Sequence, residues 1–482
     1  MRFSLRSVFA LGSIVVMGAH FPLEAVDAPK KLMRPIKKLV ELQQKNVQKR
    51  VVSKNAAEWT IVAYIQADNN LAPFAVYNIN DMQLASLPSS INMLVEWDQP
   101  NNKKTWRYRI VNGGRIEDAS LSSEMGTNPV QEIIDMMRWA KSKYEAKHYC
   151  TILWNHGAGV IDPRFKHINK TFRSGLTLPT TKPSLPWLQV PGLGLRKQAP
   201  KDPRGILFDD SQDTYATNQD LTRAFDQIKK DLGTNVDIVG MDACLMAMLE
   251  VGYQIKDSVN VLVASQQTEP GEGWAYSGFL KPLSANPAAF GAFDLATAIV
   301  GAYGNFYKSR ARDYTQSAVD LSKLEAVKNN VSQLVAAIAE CKKADRLRTK
   351  RAVLAARRAS IAFDVADYID LASFYTGLVT QFKKRDGDFD KKSFGAFFAD
   401  IEDRIAGKPT KSYTKAVAAL NAVIASGLQL IEKAVIANDV GPKFSKAKGI
   451  SVYYPKGSIH SSYKDTLFAQ KTTWDSFIQE YR

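Results

Sequence analysis

Short apolar, β-rich runs recur along this chain, and segments with helical spacing lie between them. The runs are "TIVAYI" (60–65), "INMLVEW" (91–97), "HYCTILW" (148–154), "VDIVGM" (236–241) and "NVLVAS" (260–265). Each is strand length, and none alternates as a sheet with one wet face would. Such runs suit strands covered on both faces. "NPVQEIIDMMRWAKSKY" (128–144) has helical periodicity, with Asn128 as cap and Pro129 at the first position. "TNQDLTRAFDQIKKDL" (217–232) has it too, with Thr217 or Asn218 as cap. Strands that alternate with helices imply βαβ units, hence an α/β fold with a mainly parallel sheet and helices on both faces. Sheets of this kind carry their sites at the carboxyl ends of strands. Two runs end on reactive residue types, one in Asn155-His156-Gly157 and the other in Asp242-Ala243-Cys244.

Elsewhere the rhythm changes. "TWRYRIVNGG" (105–114) alternates and then turns at Asn112-Gly113. Residues 160–205 hold seven prolines and many Gly, Lys and Arg without a sustained period, which reads as a long exposed insertion loop. Residues 285–440 read as largely helical, and "GISVYYP" (449–455) as a late strand expected to complete the sheet. A basic start (Arg2, Arg6) and a short apolar run (8–19) make residues 1–28 a secretory signal, or an N-terminal membrane anchor if it stays uncleaved. Residues 29–56 read as a linker or pro-segment, and 57–482 as the main domain. The expected location is secreted or periplasmic, with no stable membrane span after signal removal.

The 482 residues carry a net charge of +16, which stays +16 without residues 1–28, since Arg2 and Arg6 leave together with Glu24 and Asp27. The basic residues are spread along the chain, and no zinc-finger spacing, RNP-like motif or Walker lysine accompanies them, so nucleic acid is not the expected partner. Three cysteines (Cys150, Cys244, Cys341) exclude a disulfide-built scaffold, and their odd number leaves at least one thiol free. Five histidines argue against a His-rich metal site.

A thiolate is a strong nucleophile, and a positioned imidazole can move its proton. Cys244 is expected to open a helix beginning near Leu245, where unpaired N–H groups would lower its pKa. The backbone N–H groups of Gly157 and Cys244 are candidate donors to a developing oxyanion. By pattern alone a packed core thiol is the first reading of Cys244, ahead of a nucleophile. His148 and His167 are rival bases, one at the start of a strand and the other in the irregular loop.

"YIQADNNL", "ILWNHGAG", "VDIVGMDACLMAMLEV", "ASQQTEPGEGWAY" and "GISVYYP", in that order, resemble the clostripain family of cysteine peptidases, within the group that holds caspases, legumain and gingipains. The resemblance spans about 59–454. It implies a caspase–hemoglobinase-like α/β/α sandwich with a mainly parallel central sheet and a largely helical C-terminal portion. It implies His156 and Cys244 as the catalytic dyad, Gly157 and Cys244 as oxyanion donors, and Asp242, two residues before the cysteine, in the primary specificity pocket. Glu272 matches a second acidic pocket position. An acid there favours Arg or Lys in the substrate through a charge-assisted hydrogen bond. The residues alone leave Asp242 open as a helix cap and Glu272 as a solvated loop carboxylate.

Relatives are often zymogens cut between His and Cys. Lys201 and Arg204, where the 160–205 loop returns to ordered structure, are the candidate self-cleavage positions; an uncut insertion is the other reading. Some relatives use calcium, and "DDSQD" supplies Asp209, Asp210 and Asp213 as candidate ligands, although the spacing is not that of an EF-hand. The expected protein is a monomeric cysteine endopeptidase that acts on protein or peptide substrates and requires no cofactor. Its rivals are a catalytically silent peptidase fold used for binding or scaffolding, and a basic binder of anionic surfaces or nucleic acid.

Overall fold

The computed structural model describes residues 56–99, 104–121, 123–161, 205–383 and 408–482. The signal and linker segments, and 162–204 of the insertion loop with Lys201 and Arg204, lie outside them. The apolar runs form β1 (Ala57–Ile65), β2 (Ile91–Trp97), β5 (Ala146–Trp154), β8 (Val236–Asp242) and β9 (Val259–Ala264). Between β2 and β5 the alternating segment makes a hairpin, β3 (Thr105–Val111) and β4 (Gly114–Leu121). β10 (Thr315–Asp320) and β12 (Val435–Val440) complete a nine-stranded sheet in the order β12-β10-β9-β8-β5-β1-β2-β3-β4. The five central strands run parallel, and both flanks are antiparallel. β1 is followed in sequence by its neighbour on one side, and the chain later returns to place β5 on its other side. That reversal of direction opens a crevice at the strand ends.

Successive residues of each central strand enter opposite cores. Val62 and Tyr64 of β1 pack with α2 (Pro129–Lys143) and α3 (Asn218–Leu232) on one face. Ile61, Ala63 and Ile65 pack with α1 (Ala72–Met82), α5 (Tyr276–Ala285) and α6 (Ala292–Tyr307) on the other. The result is an α/β/α sandwich, and it explains why these strands read as continuous apolar runs. The caps form as the sequence predicts. Asn128 accepts from Gln131 N, and Thr217 forms a capping box with Asp220.

Three expectations change. β10 and β12 lie in the stretch that reads as largely helical, because the short antiparallel strands of a sheet's flank can be half-polar in sequence, as "TQSAVD" and "VIANDV" are. The late strand does not complete the main sheet. β13 (Ser451–Tyr453) pairs antiparallel with β11 (Tyr368–Asp370) in a separate two-stranded sheet. The third is the helix after Cys244. It is α4 (Leu249–Ile255), whose N-cap is Met248, so Cys244 sits five residues upstream of the first turn.

The remaining long helices are α7 (Leu324–Ala344), α8 (Arg346–Ala359), α9 (Leu371–Phe382) and α10 (Lys411–Ala434). α10 is long and apolar enough to cross a membrane by length and composition. Here it lays a stripe of Tyr413, Leu420, Ile424, Gly427 and Ile431 into the core. Asn330 of α7 bonds the Val423 carbonyl across that contact, at 3.0 Å.

Candidate active site

The parallel register of β5 and β8 sets the site. Trp154 lies beside Asp242, so His156 and Cys244 leave the sheet at one level, each two residues beyond its partner in the ladder. The two segments touch directly. A Cβ on Gly157 would collide with the carbonyl oxygen of Cys244 and come within 3.1 Å of Ala243 Cβ. Glycine at 157 is therefore required by the close approach of the cysteine's own backbone, not only by room for a substrate.

Cys244 occupies a turn. Leu245 follows it at φ +67°, a left-handed conformation that is rare for a bulky residue, and its N–H donates to Gln267 O at 3.1 Å. Strain of this kind persists only where the surroundings over-determine it. Glu269 N donates to Cys244 Sγ at 3.2 Å. Burial pushes the thiol up to about 12, with the Glu269 carboxyl as the next contribution. That reverses the lowered pKa expected of a helix-opening cysteine, because no helix N-terminus faces the sulfur.

On the other strand end, burial pulls His156 down to about 4. Its Nε2 lies 2.6 Å from Asn70 Oδ1, a partner the sequence reading did not name. Asn155, which the sequence placed only as a neighbour, ties the segment down. Its Nδ2 donates to Gln66 O at 2.5 Å and to Phe208 O at 2.9 Å, and its Oδ1 accepts from His156 N. The imidazole and the thiol share no hydrogen bond; each is held by its own neighbours. His148 lies at the opposite end of β5, 3.2 Å from Asp237 and stacked on Trp59. His167 is outside the described residues.

Asp242 is buried at the end of β8. Its Oδ2 accepts from Tyr276 Oη at 2.8 Å and Trp274 N at 3.3 Å. It caps no helix, since α4 starts seven residues later. Burial raises its carboxyl to about 6, against the hydrogen bonds it accepts, while the adjacent Glu269 carboxyl is raised further by burial and by Asp242 itself. The two form a pair that keeps a proton. Gly273, at φ +62°, passes so close that a Cβ there would sit 2.8 Å from Asp242 Oδ1. Glu272 is half-buried, and its main-chain carbonyl accepts from Asn78 Nδ2 at 2.8 Å.

The acidic turn after β6 (Ile206–Asp209) is arranged differently from the calcium expectation. Asp210 and Asp213 are exposed, whereas Asp209 is buried and its Oδ1 accepts from Ser211 N and Gln212 N. Asp209 instead joins Asp68 and Asp98, with oxygens within 4.8 Å of one another. Gln66 Nε2 donates to both Asp98 and Asp209. Burial, then Asp209 and Asp68, raise Asp98 to about 9. An all-oxygen set of this kind fits a hard divalent cation.

The clostripain family model matches residues 63–172 and 192–481, and its gap falls inside the 160–205 loop. The clostripain of Hathewaya histolytica is 22% identical over 377 residues, which take in 67% of this chain and 65% of that protein, so the chain spans just under two thirds of its relative's length. A secreted C11 cysteine protease from Bacteroides thetaiotaomicron, solved with an irreversible peptide inhibitor, has 18% identity and a TM-score of 0.51 over 87% of this chain and 100% of its own. An inactive zymogen C11 protease from Parabacteroides distasonis has 16% identity and the same TM-score over 87% of this chain and 99% of its own. At these identities the likeness is one of fold, and the fold is that of the C11 proteases.

Proposed function

Because this chain belongs to the clostripain family, we propose that it is a secreted or periplasmic cysteine endopeptidase that cuts after Arg or Lys. The observation that carries the reading is the convergence of His156, Cys244 and the buried Asp242 at two adjacent parallel strand ends. With the thiol at about 12 and the imidazole at about 4, the resting pair is neutral. The proton of Cys244 therefore passes to His156 as the sulfur attacks the peptide carbonyl, rather than beforehand. The main-chain N–H groups of Gly157 and Cys244 are the donors assigned to the oxyanion. His156 then protonates the leaving amine. Water, deprotonated by the same imidazole, hydrolyses the thioester and restores the thiol. Asn70 and Asn155 are positioning residues for the imidazole.

Asp242 and Glu272 are the acids assigned to the substrate's cationic side chain. Self-processing is assigned to the 160–205 loop, at Lys201 or Arg204, and the gap of the family model in that loop supports an insertion there. The working form is proposed to be a monomer. Bond cleavage needs no cofactor; calcium, where it binds, is assigned to Asp68, Asp98 and Asp209. The test is hydrolysis of Arg-, Lys-, Asn- and Asp-ended reporter peptides by wild type and Cys244→Ala. Cleavage of only the first two, lost in the variant, is expected. Undiminished hydrolysis by Cys244→Ala would sink the mechanism. A wild type that stays one chain on prolonged incubation, fully active, would remove self-processing alone.

A further inference from the structure

Away from the dyad, a groove of about 720 Å³ lies between α9, α10 and the start of β12. That is the size of a small-ligand site. Ile361, Ala372, Leu428, Ile431 and Val435 make its apolar wall. Its polar groups are sorted by kind. On α9, Thr376 Oγ1 donates to Ala372 O at 2.9 Å and Thr380 Oγ1 to Thr376 O at 3.0 Å, so both hydroxyls have only acceptor capacity left. Gln381, buried in the last turn of the helix, has an Oε1 enclosed without a partner, and Glu432 adds an exposed carboxylate from α10. The cationic donors are gathered at the other end. Lys448 N and Ser373 N both donate to the Asp370 carboxylate at 2.7 Å, which fixes Lys448 beside the first turn of α9. Lys446 and Lys448 are both exposed and both line the groove.

From Ser373 to Gln381 the helix runs about 12 Å. A ligand matched to this layout has an anion at one end, an apolar body, and N–H donors along its length. A fatty acid lacks the donors, and a sugar acid lacks the apolar body. A short apolar peptide with a free carboxylate has all three, and three extended residues span about 10 Å. We propose that this groove is a second peptide-binding site, which takes short apolar peptides by their free carboxylate and regulates the cysteine. The carboxylate meets Lys446 and Lys448 in charge-assisted bonds. The peptide's N–H groups meet Thr376, Thr380 and Glu432, and a turn of the Gln381 amide brings its unpartnered oxygen to the same ligand. The route to the cysteine is a chain of buried bonds. Asp370 also accepts from Gln266 Nε2 at 3.1 Å, and Gly449 N donates to Gln266 Oε1 at 3.0 Å. The next residue, Gln267, holds Leu245 N through its carbonyl, and Glu269 N donates to Cys244 Sγ. Residues 446–449 and the start of α9 thus brace the loop that keeps Leu245 at its positive φ. A peptide that ties down both lysines stiffens this brace, so occupancy raises the rate at Cys244. The regulation, not the binding, rests on the reading of this chain as a cysteine peptidase.

The experiment uses the full chain, incubated until its activity is constant, and the tripeptide Leu-Ala-Leu, which offers no Arg or Lys to cut. Calorimetry reads binding, and hydrolysis of an Arg-ended reporter reads its effect. The free acid is expected to bind at least about tenfold more tightly than its C-terminal amide or than decanoate, and to raise kcat at least about threefold at saturation. The double substitution Lys446→Ser and Lys448→Ser should remove both the acid's advantage and the activation, with the basal rate unchanged. Equal binding of acid and amide, tighter binding of decanoate, or full activation of the double variant would overturn the proposal. So would binding without a change in kcat, or inhibition competitive with the reporter, which would seat the peptide at the dyad. Failure of the underlying reading looks different: wild type would hydrolyse no reporter, while calorimetry would still separate acid from amide.

Discussion

The two sides of the site are built to opposite specifications. On the His156 side the amides of Gln66, Asn69 and Asn155 bond one another, the Phe208 carbonyl and the buried aspartates, and they bind β1, β5 and β6 into one unit. On the Cys244 side the carboxyls of Asp242 and Glu269 lie against one another in the interior, both raised by burial, and the Tyr303 hydroxyl is buried and unbonded. A satisfied network rigidifies what it holds, whereas carboxyls buried side by side resist ionising. The contrast is between neutral amides that tie down the segment of the imidazole and a carboxyl pair that sets the charge beside the thiol.

The largest effect separating the two is expected at the reacting groups. Cys244→Ala and His156→Ala should each lower kcat at least about a thousandfold without loss of the folded state, as read by reporter hydrolysis and circular dichroism. Gly157→Ala comes next. The added methyl meets the Cys244 carbonyl, and the resulting displacement should lower kcat by about a hundredfold and destabilise by about 1–3 kcal/mol. An active, fully stable Gly157→Ala would contradict the close approach of the two segments.

pH dependence distinguishes the sides again. Asp242 is raised to about 6, so on the proposed pocket assignment kcat/KM for cationic reporters should fall as pH drops through about 6, because protonation removes the charge assigned to the substrate's side chain. The imidazole is already neutral above about 4, and so a reporter ended by citrulline, the uncharged arginine isostere, should hold its rate to lower pH. Coincident acid limbs for the two reporters would assign the limb to the dyad instead. Asn70→Ala should cost about tenfold in kcat with KM little changed, since it loosens only the orientation of the imidazole. The smallest change is expected at Asp98→Asn. At about 9 the carboxyl is already protonated at neutral pH, so stability should move by less than about 1 kcal/mol. Any calcium-dependent rise in Tm should disappear in the same variant.

Much of the frame is legible in the residues. Five apolar runs became the five central parallel strands, since a strand covered on both faces must be apolar throughout. Asn128 and Thr217 cap the helices they announce. His156 and Cys244 stand at strand ends, where the pattern placed them. What failed was local continuity after Cys244. A helix-like composition begins at Leu245, but that residue is held at φ +67° and the helix starts at Leu249. Composition does not register a strained turn imposed by neighbours. The flanking strands β10 and β12 were hidden for a related reason, because both are short and carry polar residues, and their place in the sheet is set by backbone pairing with β9 and with each other.

Asn70 and Glu269 were in plain sight in "QADNNL" and "QQTEPGEGW", and nothing in those stretches distinguishes them from their neighbours. Residue order and side-chain polarity specify which segments are buried and which residue types end them, because burial and periodicity are local properties of the chain. Which amide reaches the imidazole, which glutamate faces Asp242, and whether the thiol meets a helix dipole or a carboxylate depend on contacts between residues 25 to 86 positions apart. Those contacts, and the charge and solvent exclusion that come with them, exist only once the strands lie side by side.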